Sequence, residues 1–148
     1  ALYRASAAGV PIRLMVRGMC ALRAGIPGVS ENIEVRSIVG QFLEHSRIYR
    51  FENAGEAKIY LGSADLMPRN LFRRIETLFP IVSPGMREHV DEILEWFWRD
   101  TRKAKVMQTD GTYRLRETTG EPFDAQAEFI AEAQRERKRK LALREKNA

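Results

Sequence analysis

The chain has 148 residues, about the length of one domain, and its 44% hydrophobic and 30% charged content is typical of a globular protein with a buried core. Its apolar runs are far shorter than a membrane span, and its first residues lack the basic-then-apolar layout of a secretion signal. The single cysteine, Cys20, excludes an internal disulfide and fits a reducing compartment.

Glycine, proline and alternating apolar residues predict the elements of the first half of the chain. Residues 2–8 have the composition of a helix, which Gly9 and Pro11 would end. Apolar alternation then predicts strands at residues 12–16, 33–39, 47–51 and 58–61. Glycine, proline and polar residues between them predict a loop at 23–32 and a turn at 52–56. A helix that leads into a strand implies an earlier strand, so we expect a fragment that lacks its N-terminal part.

The second half is predicted to begin with an edge strand and a long amphipathic helix. Residues 75–82 form the strand, and Pro80 within it favours the edge of a sheet. Ser83 and Pro84 have the N-cap and first-turn chemistry of a helix. Six apolar residues fall on one face of this helix, namely Met86, Val90, Ile93, Leu94, Phe97 and Trp98. Trp96 lies off that face, which predicts a second contact or partial exposure, and His89 beside the polar face is predicted to be solvent-exposed.

The end of the chain is predicted to form a hairpin and a basic helix. Residues 104–108 and 112–116 flank an Asp-Gly turn, and residues 123–146 are helical. The net charge of +5 resides in residues 134–148, here called the basic segment, where seven Lys and Arg face two Glu. We therefore divide the chain into a body, residues 1–122, and a basic C-terminal helix or tail, residues 123–148. A cluster of charged residues like this one usually forms a solvent-exposed end of a helix.

The residues best suited to chemistry lie around His45. The pattern places His45 and Arg47 two apart on an apolar strand, so that they project on one face. The next strand ends in Gly-Ser, where a glycine at 62 would let a ligand approach the backbone, and Ser63 and Asp65 follow. An imidazole, a guanidinium, a hydroxyl and a carboxylate suit a phosphoryl group. The alternatives are a core histidine with a satisfied hydrogen bond, and a strand-ending turn at Ser63 and Asp65.

This stretch resembles the half-motif His-x-Lys with downstream Gly-Ser-x-Asn of the phospholipase D superfamily, with Arg47 in the lysine place and Asp65 in the asparagine place. That motif alone is weakly specific. A longer series of segments, in order over about residues 1–120, is similar to the C-terminal catalytic domain of bacterial polyphosphate kinase: Met15–Gly18, Gly28–Ile33, Val35–Gly40, Phe42–Ile48 and Gly62–Leu71. This ordered series is strongly specific.

The resemblance implies a phospholipase D-like α/β fold, with a mixed sheet and flanking helices, and an ATP:polyphosphate phosphotransferase activity. The complete enzyme would transfer the ATP γ-phosphate reversibly to inorganic polyphosphate through a phosphohistidine upstream of this chain. His45 matches a second histidine that assists the transfer and contacts ATP, and Arg17 matches an ATP-contacting arginine. Three further arginines have two equal alternatives, a place along a polyphosphate channel or a structural salt bridge. They are Arg36, Arg47 and Arg69. Ser63 and Asp65 would orient His45 or bind phosphate.

The expected cofactors and partners follow from the same resemblance. The sequence has no Gly-x-x-x-x-Gly-Lys-Ser/Thr loop and no clustered Cys/His set, so we expect no metal site in the chain and Mg²⁺ to arrive with ATP or ADP, with its ligands outside this chain. The expected partners are ATP, polyphosphate, the remaining domains of the polypeptide and further copies in a homo-oligomer. We expect a cytoplasmic protein that does not bind nucleic acid, with peripheral contact of the tail to the inner membrane as an alternative.

Two other functions stay open on the residues alone. One is a phosphodiesterase-type phospholipase D-like half-domain, against which Arg47 in the lysine place argues. The other is a polyanion-binding module without chemistry, because the nucleophilic histidine has no counterpart in this sequence. For the same reason we expect the isolated chain to be inactive as a kinase.

Overall fold

The computed structural model describes residues 1–118 and 120–146 and divides into two compact units, Ala1–Leu43 with Trp96–Ala148 and Glu44–Glu95. In chain order the elements are α1 (Leu2–Ala7), β1 (Ile12–Met15), β2 (Ile33–Ile38), β3 (Ile48–Phe51), β4 (Lys58–Gly62), α2 (Pro68–Arg73), β5 (Leu78–Pro80), α3 (Pro84–Arg99), β6 (Ala104–Met107), β7 (Tyr113–Leu115) and α4 (Ala125–Lys146). The strands predicted at 12–16, 33–39, 47–51 and 58–61 are confirmed within one residue at each end, and the first helix, the long helix, the hairpin and the last helix are also confirmed. The predicted strand 75–82 is shorter and comprises only Leu78–Pro80. The short helix α2 was not predicted.

The first unit contains a four-stranded mixed sheet in the order β1-β2-β6-β7. Strands β1 and β2 are parallel, and β2, β6 and β7 pair antiparallel. The residues Ile33 and Val35 of β2 join Ala24 and Met107 in the buried core. Cys20 packs against this core from a segment that has no regular secondary structure, so it contributes apolar contact without belonging to a strand.

A buried carboxylate joins three elements of the first unit. Asp100, which is 0% exposed, follows the last turn of α3. Its Oδ1 atom accepts hydrogen bonds from the backbone N–H groups of Lys103 (2.7 Å) and Ala104 (3.0 Å), and its Oδ2 atom accepts one from the N–H of Ala125 (2.9 Å). Asp100 therefore connects the end of α3 to the starts of β6 and α4.

The first turns of α4 pack against other parts of the first unit. Gln126 is buried, and its side-chain amide donates to the Phe42 carbonyl (2.9 Å) and accepts from the Phe42 N–H (3.1 Å). The ring of Phe129 lies 5.1 Å from the rings of both Trp96 and Phe97, which confirms the predicted second contact of Trp96. Residues from 133 to 146 are exposed. The predicted boundary lies after residue 122, but most of the residues from 123 to 132 are buried or half-buried.

The second unit contains a three-stranded antiparallel sheet in the order β3-β4-β5. Pro80 lies in the outer strand β5, which confirms the predicted edge position. Helix α2 begins at Pro68, and Asn70 is its buried residue. A six-residue helix with one buried position has too few apolar repeats to produce a periodic pattern, which explains why the sequence did not predict it.

Across the described ranges, 1–118 and 120–146, no helix is long and apolar enough to cross a membrane.

Candidate functional site

The segment that carries His45 is not a strand, contrary to the prediction. Residues 43–47 have no regular secondary structure, and β3 begins at Ile48. The backbone carbonyl of Arg47 accepts a hydrogen bond from the Gly62 N–H (3.0 Å), so pairing with β4 starts just after His45. Four consecutive polar residues, 44–47, give no apolar face that a strand would bury. The two-residue spacing therefore does not fix the directions of His45 and Arg47.

The Arg47 guanidinium connects this segment to the end of β4. Its Nη1 atom donates to the backbone carbonyl of His45 (2.5 Å), and its Nε atom donates to Oδ1 of Asp65 (3.0 Å). Two residues further along β3, the Tyr49 hydroxyl donates to the carbonyl of Ala64 (2.8 Å). Burial, followed by the charge of Asp65, raises the pKa of Tyr49 above its usual value. The structure therefore links the Arg47 side chain to the Asp65 carboxylate and to the backbone of His45, through hydrogen bonds rather than through a shared strand face.

The hydroxyl of Ser63 is bonded to protein groups on both sides. It donates to Oε2 of Glu76 (2.5 Å) and accepts from the Thr77 N–H (3.0 Å), while Asn70 Nδ2 donates to Oε1 of Glu76 (2.7 Å). The bonds from Ser63 and Asn70 lower the pKa of Glu76. Sequence reasoning missed Glu76 and Asn70, because this network joins them through the unpredicted helix α2.

Gly62 makes a close approach, but to the chain rather than to a ligand. A Cβ atom at this position would lie 2.9 Å from the carbonyl oxygen of Thr77, and the N–H of Ser63 donates to that same oxygen (3.0 Å). The expectation that the glycine makes room for a ligand is therefore replaced by a packing role between β4 and the start of β5.

Arg17 follows the end of β1 in the first unit. The backbone pairing of β1 with β2 continues to Val16, whose N–H donates to the Arg36 carbonyl (2.8 Å). The Arg17 carbonyl accepts a hydrogen bond from the Ser37 hydroxyl (3.4 Å), and the residue is exposed. Arg17 thus lies at the carboxyl end of a parallel strand pair, the sheet edge at which α/β folds bind ligands.

Arg36 has an internal position. Its guanidinium is buried, lies 3.7 Å from the ring centroid of Trp98, donates to the Trp98 carbonyl and forms an ion pair with Glu34 (2.7 Å). Burial lowers the pKa of Arg36 below its ordinary value. Of its two predicted roles, the contacts of Arg36 correspond to the structural salt bridge.

The remaining candidates are distributed between the two units. Arg69 is exposed on α2 and lines a surface depression of about 490 Å³ with Pro68, Phe72 and Arg73. It belongs to the second unit with His45, Arg47, Ser63 and Asp65, whereas Arg17 and Arg36 belong to the first.

Neither unit shows a metal-binding cluster within the described ranges. No group of three or more His, Cys, Asp or Glu side chains is placed to hold a metal ion in residues 1–118 and 120–146. His89 is exposed on α3, as predicted, with its Nδ1 atom 3.8 Å from Glu92 Oε2. The Asp65 carboxylate accepts a hydrogen bond from Arg47, and the Glu76 carboxylate accepts from Ser63 and Asn70.

Comparison with known proteins identifies the family. A family model described as polyphosphate kinase C-terminal domain 2 matches residues 1–126. The chain belongs to the polyphosphate kinase family. The chain is 54% identical over 134 residues to a polyphosphate kinase of Lactiplantibacillus plantarum, covering 90% of the chain and 19% of that relative. It is 52% identical over 130 residues to polyphosphate kinase 1 of Chlorobaculum tepidum, covering 88% of the chain and 19% of the relative.

A solved structure shows the same fold. The crystal structure of the polyphosphate kinase from Porphyromonas gingivalis matches 91% of the chain and 21% of its own length, at a TM-score of 0.86 and 40% sequence identity. The predicted α/β, phospholipase D-like architecture is thereby confirmed. The chain spans about a fifth of the length of these polyphosphate kinase relatives.

Proposed function

We propose that this chain is part of a polyphosphate kinase that reversibly transfers the γ-phosphate of ATP to inorganic polyphosphate through a phosphohistidine upstream of the chain. The observation that carries this proposal is the family match over residues 1–126, which includes both His45 and Arg17. The same match favours a kinase over the phosphodiesterase half-domain and over a binding module without chemistry.

In this proposal His45 assists the transfer. An imidazole can donate or accept a proton near neutral pH, and the exposed His45 would act as proton donor or charge stabiliser for the moving phosphoryl group. Phosphoryl transfer depends mainly on positioning and on neutralising negative charge. Hydrogen bonds to the backbone of the His45 segment would supply the positioning, and Arg17 would supply positive charge at the nucleotide phosphates.

Arg17 would hold the phosphates of the nucleotide. A guanidinium matches two phosphate oxygens with parallel N–H donors, and Arg17 is exposed at the carboxyl edge of the β1–β2 pair. Magnesium would reach the enzyme bound to ATP, as part of the substrate.

Replacing Arg17 with Ala in the full-length enzyme should weaken ATP binding and slow turnover. Loss of a hydrogen bond between charged groups is worth about 1.5–3 kcal/mol, which corresponds to roughly tenfold to hundredfold in the ATP dissociation constant. Calorimetric titration of ATP tests this, with Arg4→Ala, an exposed arginine on α1, as the control. Unchanged nucleotide affinity and rate in Arg17→Ala would remove Arg17 from the site.

The basic segment is proposed to bind polyanions only through its charge. Its arginines and lysines are exposed, and Arg135 and Lys140 form surface ion pairs within α4. Deleting residues 134–148 from the full-length enzyme should preserve turnover at saturating ATP, because the deletion leaves the contacts of Gln126 and Phe129 in place. Any loss of polyphosphate affinity should fade as salt shortens the screening length from about 10 Å at 0.1 M to about 3 Å at 1 M.

A salt series of polyphosphate binding to intact and truncated enzyme measures this effect. Changing residues 137–140 to Gln provides a control that keeps the length of the helix. Binding of both proteins to acidic lipid vesicles tests the membrane alternative in the same series. Lost turnover at saturating substrates would show that the active site includes the basic segment.

The remaining proposals concern the whole protein: a cytoplasmic homo-oligomer in which other domains of the polypeptide adjoin this chain. Large apolar side chains of the second unit are exposed in the chain alone, among them Phe72 (82%), Val82 (73%) and Ile75 (103%). Exposed apolar surface of this kind is typical of an interface. These exposed side chains support the proposal that other parts of the full-length protein cover this surface, since the chain spans only 19% of such a relative.

A further inference from the structure

Two short segments of the second unit are fastened to each other beside His45. We call this arrangement the histidine clasp: the segment 45–49 bonded to the segment 62–65. Arg47 contributes most of it, with Nη1 on the His45 carbonyl (2.5 Å), Nε on Asp65 (3.0 Å) and its own carbonyl accepting from the Gly62 N–H (3.0 Å). Tyr49 adds the bond from its hydroxyl to the Ala64 carbonyl (2.8 Å).

The clasp holds a segment that is not part of a β-strand. Residues 43–47 are irregular, and an irregular exposed segment fixes its side chains only through specific hydrogen bonds. The bond from Arg47 reaches the backbone of His45 itself. The backbone position of His45, from which the imidazole projects, is therefore tied to Arg47, which in turn is bonded to Asp65.

The surroundings of Arg47 do not suit a phosphate ligand. Its charge is already matched by the Asp65 carboxylate at 3.0 Å, and its side chain is only 24% exposed. A second carboxylate, Glu76, acts electrostatically on the same group of side chains. A phosphate oxygen approaching Arg47 would meet repulsion from both carboxylates.

We propose that Arg47 and Asp65 are a positioning pair for His45 and do not bind polyphosphate. This inference rests on the proposed function, in which His45 assists phosphoryl transfer. It assigns the arginine in the lysine place of the half-motif to orienting the histidine rather than clamping phosphate. Misplacing a reacting group by about 1 Å can cost roughly 10²-fold in rate, so the loss of either partner should be felt mainly in kcat.

The test uses the full-length enzyme with Arg47→Gln, Asp65→Asn and the double variant. Each single variant should lower kcat by about tenfold to hundredfold with little change in KM for ATP or polyphosphate. The double variant should be no slower than the slower single variant, because both substitutions remove one shared arrangement. Additive losses in the double variant would overturn the inference.

A neighbouring ion pair provides the matched control. Arg50 Nε donates to Asp91 Oδ1 at 2.8 Å, also within the second unit and also between an arginine and an aspartate. Arg50→Gln and Asp91→Asn remove a contact of the same kind without touching the clasp, and kcat should stay unchanged. If they lower kcat as much as the clasp variants do, loss of any ion pair in this unit explains the effect and the inference fails.

A phosphate-binding Arg47 would give a different result. Arg47→Gln would then raise KM for polyphosphate, Arg47→Lys would restore most of the affinity, and Asp65→Asn would improve it by removing a repulsive charge. This pattern would overturn the inference. Positioning predicts instead that Arg47→Lys stays slow, because an ammonium group cannot reproduce the planar fork that reaches Asp65 and the His45 carbonyl together.

Hydrogen exchange of the intact enzyme separates this inference from the proposed function. Amides in the peptide that spans residues 42–49 should exchange faster in Arg47→Gln and Asp65→Asn than in the wild type or in Arg50→Gln. Unchanged exchange would refute the clasp. A His45→Ala enzyme with normal turnover would refute the proposed function instead, whereas an inactive His45→Ala beside normal Arg47 and Asp65 variants would refute only the positioning role.

Discussion

Replacing His45 with Ala in the full-length enzyme should abolish polyphosphate synthesis while leaving the fold intact. General acid–base assistance is typically worth about 10²–10⁴-fold in rate, and loss of charge stabilisation would add to this. The fold should survive because His45 is exposed and Arg47 bonds to its backbone carbonyl, which alanine keeps. Synthesis of polyphosphate from ATP measures the activity, and circular dichroism measures the fold.

The second histidine of the chain is the control for this experiment. His89 is exposed on α3, in the same unit as His45. His89→Ala should therefore retain synthesis, and the comparison separates a specific role of His45 from a general loss of imidazole groups. A His45→Ala enzyme with near wild-type turnover would mean that His45 is structural or neutral.

The regular elements were predictable because their information is local. The sequence of helix α3 has Ser83 before its first residue, a proline in its first turn and an apolar stripe, and the hairpin of β6 and β7 has an Asp-Gly turn at which Gly111 adopts a φ of 87°. Each of these signals lies within a few residues of the element that it specifies. The irregular path of residues 43–47 was not predictable in this way, because it depends on a hydrogen bond from the Gly62 N–H and on the bond that Arg47 donates to Asp65.

The candidate site shows the same division between local and distant information. His45, Arg47 and Asp65 were expected to meet because a short turn joins their two strands. The burial of Arg36 on Trp98, by contrast, depends on a residue 62 positions away, and no pattern within β2 indicates it. The exposed or buried state of an arginine thus decides between phosphate binding and a salt bridge, and this state is set by tertiary packing.

The largest loss of stability is expected from Asp100→Ala. Removing the carboxylate leaves the backbone N–H groups of Lys103, Ala104 and Ala125 without their acceptor, and the site is fully buried. An unsatisfied buried donor costs about 1–3 kcal/mol, so we expect the free energy of unfolding to fall by about 3 kcal/mol or more. Asp100→Asn keeps one acceptor oxygen and should cause a smaller loss.

Urea unfolding of the chain, monitored by tryptophan fluorescence, measures the loss of stability of the first unit. Both tryptophans, Trp96 and Trp98, belong to the first unit, as do Asp100 and its three partners. The control is Asp110→Ala, which removes an exposed carboxylate that accepts from the N–H and hydroxyl of Thr112 in the β6–β7 turn. Water replaces those bonds, so the control should shift the urea midpoint much less. Equal midpoints for the two alanine variants would show that the buried bonds of Asp100 contribute no more than an exposed turn.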